Sequence, residues 1–131
     1  MFFKRQESFR FSFDEPIPAK VKMLVDGQPI MKDGVEIFDA SILDISPRGV
    51  KVFSEVNFNE SGKQIPLLEV QFILDSSEIT GVGEVVWTKV FGQGKQYGII
   101  FQNQSSLEDL IISELKVRRK KEVIQAKMSK M

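Results

Sequence analysis

The sequence predicts a mainly β protein, a small antiparallel barrel or sandwich followed by one C-terminal helix. Three observations carry that expectation. Apolar and polar residues alternate through most of the chain up to Asn103, the pattern of half-buried strands. Turn dipeptides punctuate that pattern at short intervals. Beyond Asn103 the period changes from two to that of a helix, which adds a single helix to a run of short strands.

Phe9, Phe11 and Phe13 alternate with polar residues as a short strand-like stretch. Asp14-Glu15-Pro16-Ile17-Pro18 is expected to stop it, because each proline lacks an N–H and restricts its predecessor. Ala19, Val21, Met23 and Val25 form the next strand. Asp26-Gly27 and Asp33-Gly34 are turns on either side of a short link. A strand around Glu36–Leu43 follows, then a turn over Asp44–Gly49 and a strand over Val50–Ser54. Asn57–Lys63 is polar and loop-like. Leu68, Val70, Phe72 and Leu74 alternate again. A long strand runs from Ile79 to about Val90, with Gly81 and Gly83 as bulge or close-approach points. Gly92-Gln93-Gly94 closes a hairpin onto Tyr97–Phe101. Ser105 or Ser106 can cap the helix, and Ser105 with Glu108 forms a capping box. Leu107, Leu110, Ile111 and Leu115 share one helical face, and the polar end of the helix is expected to fray.

At 131 residues the chain holds one domain's worth of core. Hydrophobic residues make up 42% and charged residues 27%, values that suit an ordinary globular protein. Cysteine and histidine are both absent. Structural zinc sites of the usual kinds, cysteine nucleophiles, histidine bases, haem-ligating histidines and disulfides are therefore excluded. With no recognisable carboxylate arrangement either, an enzyme is not expected, and neither is a metal. No segment approaches the roughly eighteen apolar residues of a membrane span. The opening MFFKRQESFRF has no apolar core or small-residue cleavage site, so a cytoplasmic protein is expected. Asn59-Glu60-Ser61 and Asn103-Gln104-Ser105 match the glycosylation pattern by chance in that setting.

The 18 basic and 18 acidic residues cancel, which argues against a whole-surface polyanion trap, and no DNA partner is expected. Their distribution is uneven. Residues 1–10 have a net charge of +2, residues 116–131 of +6, and the stretch between them of −8. Basic ends on an acidic body read as interaction arms.

Two stretches carry candidate chemistry. In Asp44-Ile45-Ser46-Pro47-Arg48-Gly49, the Asp44 and Ser46 side chains can satisfy local N–H groups and Gly49 can take a positive φ, which is the purely structural option. The functional option is a polar pocket in which a carboxylate accepts from a guanine edge and a hydroxyl donates to phosphate. Lys4-Arg5-Gln6-Glu7-Ser8-Phe9-Arg10 is either a solvated terminus or an arm whose guanidinium forks meet phosphate and stack on purines.

Together these stretches resemble the PilZ domain, a bacterial receptor for cyclic di-GMP. That family pairs an N-terminal RRxxxR stretch, whose second and third arginines are the principal ligand contacts, with (D/N)xSxxG. The second motif is intact here as Asp44, Ser46 and Gly49. In the first, Arg5 and Arg10 match and Gln6 replaces the middle arginine. Gly83-Glu84-Val85-Val86-Trp87 with Tyr97-Gly98-Ile99-Ile100-Phe101 resembles the family's closing strand pair, and the resemblance runs from about Lys4 to Leu115.

The resemblance implies a six-stranded antiparallel β-barrel with a C-terminal helix. It divides the chain into a domain over 1–115, arginine arm included, and a basic helical tail over 116–131. It also implies a cyclic di-GMP receptor that relays the signal to a protein partner, in the motility or biofilm machinery by family resemblance. The implied ligand residues are Arg5, Gln6, Arg10, Asp44, Ser46 and Gly49, with Arg48 as a further guanidinium. Gln6 keeps hydrogen-bonding capacity without charge. One missing arginine weakens binding by about ten- to a hundredfold, since a charged hydrogen bond contributes roughly 1.5–3 kcal/mol. The alternative, favoured by Gln6, is an interaction module of the same fold that has lost the nucleotide.

Other features take the plainer reading. Gly92-Gln93-Gly94 leads to no helix and is a hairpin, not a phosphate loop. Trp87 and Phe101 are core or rim residues, and Glu108-Asp109 are helix N-terminal charges. The tail, with Val117, Ile124, Met128 and Met131 in a loose heptad-like series, is a solvated helix end or a contact for a partner helix, a second copy or an acidic membrane.

Overall fold

In the computed structural model, residues 10–58, 66–102 and 105–129 are described. The strands are β1 (Phe11–Val25), β2 (Gln28–Ile30), β3 (Phe38–Ser46), β4 (Gly49–Ser54), β5 (Leu67–Ile73), β6 (Glu78–Phe91) and β7 (Gly94–Phe101). One helix, α1 (Ser105–Ser129), follows them. All pairings are antiparallel, in the order β2-β1-β3-β4-β7-β6-β5. A further β1–β5 pairing, Lys20↔Gln71 to Leu24↔Leu67, closes six of the strands into a barrel. Closure leaves those six strands without a free sheet edge over their paired lengths.

Strand β2 is outside the ring. β3 covers one edge of β1 as far as Val21↔Phe38, while β5 holds the other edge to Leu24. The three residues of β2 continue where β3 stops, at Met23↔Ile30 to Val25↔Gln28. Asp26-Gly27 makes that hairpin, and Asp33-Gly34 makes a second one at the Lys32↔Val35 bridge. All four residues have positive φ, as the tight primed turns require.

The prolines do not end β1. Its pairing with β3 instead slips between Ser12↔Asp44 and Ile17↔Ile42, so the residues around Pro16 bulge out of the ladder. Pro18 precedes the residues that pair with β5. A proline is tolerated where a strand bulges or one side lacks a neighbour.

The core is one cluster. It takes Ile17, Ala19, Val21 and Met23 from β1, Phe38, Ala40, Ile42 and Ile45 from β3, and Leu107, Ile111 and Leu115 from α1. Leu110 packs against it, partly buried. Phe58, from the stretch expected to be a polar loop, is also buried, against Phe38 and Tyr97. Phe101 is core, whereas Trp87 stays partly exposed and lies over Gly98. Gly81 and Gly83 are close-approach points, against the Phe101 ring and the Ile100 carbonyl; the bulge of β6 lies further along, between Val85 and Trp87.

The end of the helix does not fray within the described residues; it runs to Ser129. Arg118 forms an i,i+4 ion pair with Glu122 at 3.2 Å and sits over the Phe13 ring. No helix among the described residues is long and apolar enough to cross a membrane.

Candidate functional site

A bulge in β3 sets the site. Phe38, Ala40 and Ile42 point into the core at the two-residue period of a strand, and the next core residue is Ile45, not residue 44. The pairing with β4 shows why. Ile42 faces Val52 and Asp44 faces Lys51, so Leu43 is the extra residue. One inserted residue reverses the facing of all that follow it. Asp44 is thereby turned out of the core, and Ile45 is turned in.

Asp44 and Ser46 thus belong to the end of a strand and not to a six-residue turn. Only Pro47 and Arg48 lie between the last β3 residue and the first of β4, with Ser46 paired to Gly49. The Ser46 hydroxyl donates to the Gly49 carbonyl at 3.4 Å and accepts from the Arg48 N–H at 3.3 Å. The Arg48 carbonyl accepts from the Phe101 N–H at 2.8 Å, which ties the turn to the end of β7.

Gly49 does not take a positive φ; only Gly27, Gly34 and Gly92 do among the described glycines. It is required by proximity. A Cβ there would stand 2.2 Å from the Ile99 carbonyl oxygen. The last residue of the motif lets β4 lie against β7.

Asp44 makes two ion pairs in place of the local backbone bonds expected for it. Arg10 Nη1 lies 2.5 Å from Oδ1, and Lys51 Nζ lies 3.2 Å from Oδ2. The Asp44 side chain is 9% exposed and that of Arg10 50%, so the cations shield the carboxylate and Arg10 keeps one side to solvent. The two motifs therefore meet in space across 34 residues of sequence. The structure brings together Arg10, Asp44, Ser46 and Gly49, with Arg48 exposed on the connecting turn. Arg5 and Gln6 lie outside the described residues.

Lys51 was not anticipated. A two-residue turn at Pro47-Arg48 pairs Ser46 with Gly49 and, two residues further along each strand, Asp44 with Lys51. That register is the signal that could have found it.

Chemically, the site offers a carboxylate between two cations, a hydroxyl and a close-packed backbone turn. Such a set can accept from a base edge and bind an anion. Among the described residues no group of three or more His, Cys, Asp or Glu side chains is placed to hold a metal.

A structure search matches the crystal structure of the PilZ domain of CeSA from a cellulose-synthesizing bacterium. The TM-score is 0.54 at 18% identity, over 88% of this chain and 99% of that one, a likeness of fold. No curated protein sequence matches the chain. The family model for the PilZ domain matches residues 4–116, which include both motifs and the whole barrel, and the chain belongs to that family.

Proposed function

We propose that the protein is a cytoplasmic bacterial receptor for cyclic di-GMP that relays the ligand's level to a partner protein. The observation that carries this reading is the Arg10–Asp44 pair, which joins the arginine arm to the DxSxxG turn. Arg10 would grip a phosphate and stack on a guanine. Asp44 would accept from a guanine edge, while Ser46 and Gly49 shape the floor. Arg5, Gln6 and Arg48 complete the set on the arm and the turn. Both oxygens of Asp44 already face cations, so the ligand enters by exchanging partners with Arg10 and Lys51. Binding would order the arm over the barrel, a switch a partner can read. The partner would belong to the motility or biofilm machinery, as in the family. The exposed end of α1, with Val123, Ile124 and Met128, offers a second contact to a protein or an acidic membrane.

Calorimetric titration with cyclic di-GMP tests the reading. Micromolar or tighter affinity is expected. Arg10→Ala and Asp44→Ala should each weaken binding by about ten- to a hundredfold, the worth of a lost charged contact. No heat at high micromolar ligand would overturn the receptor and leave an interaction module that has lost the nucleotide.

A further inference from the structure

We infer that Lys116 and Arg119, on the helix, are ligand-binding residues of the same site, and that with Arg10 they hold a phosphodiester of cyclic di-GMP. The inference rests on the receptor reading and extends it to a part of the chain outside both motifs.

A groove of about 440 Å³ lies between α1 and the start of β1. Its walls are Arg10, Phe11, Ile112, Leu115, Lys116 and Arg119. The four helical residues fall at i, i+3, i+4 and i+7, a single stripe on the face turned to β1. The stripe is apolar at Ile112 and Leu115 and cationic at Lys116 and Arg119. Three of the six walls are cations and none is a carboxylate. At its β1 end the groove meets the site already described, because Arg10 also holds Asp44.

The basic residues of this helical stretch divide by what they touch. Arg118 donates to the Leu74 carbonyl at 2.8 Å, and Lys121 pairs with Asp75 at 2.8 Å. Both serve the barrel. Lys116 and Arg119 have no acidic partner among the described residues. Arg119 also borders the neighbouring cleft that contains Asp14 and Glu15, yet pairs with neither. Its guanidinium lies 5.3 Å from the centre of the Phe11 ring, a contact that orients the planar fork beside Arg10.

Cations gathered around one groove repel one another, and an anion placed among them relieves that repulsion. The partly exposed Phe11 and Ile112 give the groove an apolar wall beside which a purine can lie next to its phosphate. A cyclic dinucleotide supplies both groups together. Lys116 and Arg119 thereby provide the positive charge that Gln6 does not carry in the arm.

The test is calorimetric titration of the full chain with cyclic di-GMP, in wild type and two double variants. Lys116→Gln/Arg119→Gln removes the groove cations. Lys120→Gln/Lys127→Gln removes the same charge from exposed positions on the same helix, outside the groove. The groove variant should bind about tenfold more weakly or worse, with a shallower salt dependence, and the control should stay within about twofold. Lys116→Gln alone, which breaks no contact within the described residues, should lose affinity severalfold without a change in melting. Equal losses in the two double variants would mean that only the overall charge matters, which overturns the inference. Wild-type affinity in the groove variant also overturns it and leaves the receptor reading standing. No binding by the wild-type protein overturns both.

Discussion

Glu114 and Asp75 join the helix to the barrel. Glu114 Oε1 accepts the backbone N–H of Asp75 at 3.0 Å, and the same oxygen accepts those of Ser76 and Ser77 at 3.0 and 3.1 Å. The carboxylate is buried and satisfies the whole turn between β5 and β6. Buried polar groups left without partners are costly, so one side chain here settles four groups together. It also fixes the turn of the helix from which Lys116 and Arg119 face the groove.

Removing that acceptor should loosen the helix. Glu114→Ala leaves three N–H groups to find water and should destabilise the fold by about 3 kcal/mol. Glu114→Gln keeps an acceptor oxygen without the charge and should lose only about 1 kcal/mol. Urea denaturation with an unchanged slope measures both. Equal midpoints for Glu114→Ala and wild type would show that the turn does not depend on this carboxylate.

Beyond Leu115 the helix bonds to the barrel through Arg118 and Lys121 and ends on exposed apolar side chains. Arg118 and Lys121 bind Leu74 and Asp75, while Val123, Ile124 and Met128 are exposed. Truncation after Glu122 keeps both of those bonds and should lower the melting transition less than a truncation that removes them. Truncation after Leu115 should lower stability by about 1–2 kcal/mol, because the Arg118 bond is part-buried and the Lys121 pair is exposed on the lysine side. Thermal melts of the two truncations locate the end of the folded unit.

How much of this was legible in the sequence depends on how local each signal is. Val21 sits between Lys20 and Lys22, and Val70 between Glu69 and Gln71, and that local period places their strands. Leu107, Ile111 and Leu115 gave the helix in the same way. β2 has three residues, too few for any period to register. In sequence the Pro16 region reads as a stop because the rule against proline assumes a regular ladder, and here the ladder bulges. The Leu43 bulge did leave a trace, since the alternation of Phe38, Ala40 and Ile42 changes phase to Leu43 and Ile45. Its consequence for Asp44 needs the register with β4. The bond of Glu114 to Asp75 spans 39 residues and has no local signal at all. The motif residues Asp44, Ser46 and Gly49 were visible by resemblance, but the reason for Gly49 was not, because Ile99 lies on another strand.

That reason gives a prediction. Gly49→Ala would push a methyl group to 2.2 Å from the Ile99 carbonyl oxygen, and backbone on both sides cannot yield as a flexible side chain would. Destabilisation of about 3 kcal/mol is expected, the upper range for overpacking. Loss of cyclic di-GMP binding should accompany it through displacement of β4, and Ser46→Ala should reduce binding with much less loss of stability. Denaturation and titration of both variants separate the two effects.

The pH dependence of stability should carry the mark of Tyr97. Its hydroxyl donates to the Val56 carbonyl at 2.7 Å and accepts from the Phe58 N–H at 3.1 Å, inside the core. Burial raises its pKa above the usual value, opposed by the Phe58 hydrogen bond and the charge of Lys32. The folded state therefore holds the phenol proton more tightly than the unfolded chain, which releases it at about pH 10. Above that pH the unfolded state binds fewer protons than the folded state, so stability falls as pH rises. The contribution is complete below about pH 10 and is lost as pH climbs through the folded pKa. Tyr97→Phe leaves the Val56 carbonyl and the Phe58 N–H without this partner and should destabilise the protein by about 1–3 kcal/mol near neutral pH. Lysines titrate in the same alkaline range, so the readout is the difference between wild type and variant, which should shrink above about pH 10. The chain has a single tyrosine, so phenolate absorbance reports this group alone, and its midpoint in the folded protein should lie above that of the denatured chain. Coincident midpoints, or a difference that stays constant into alkaline solution, would show that the fold does not favour the protonated phenol.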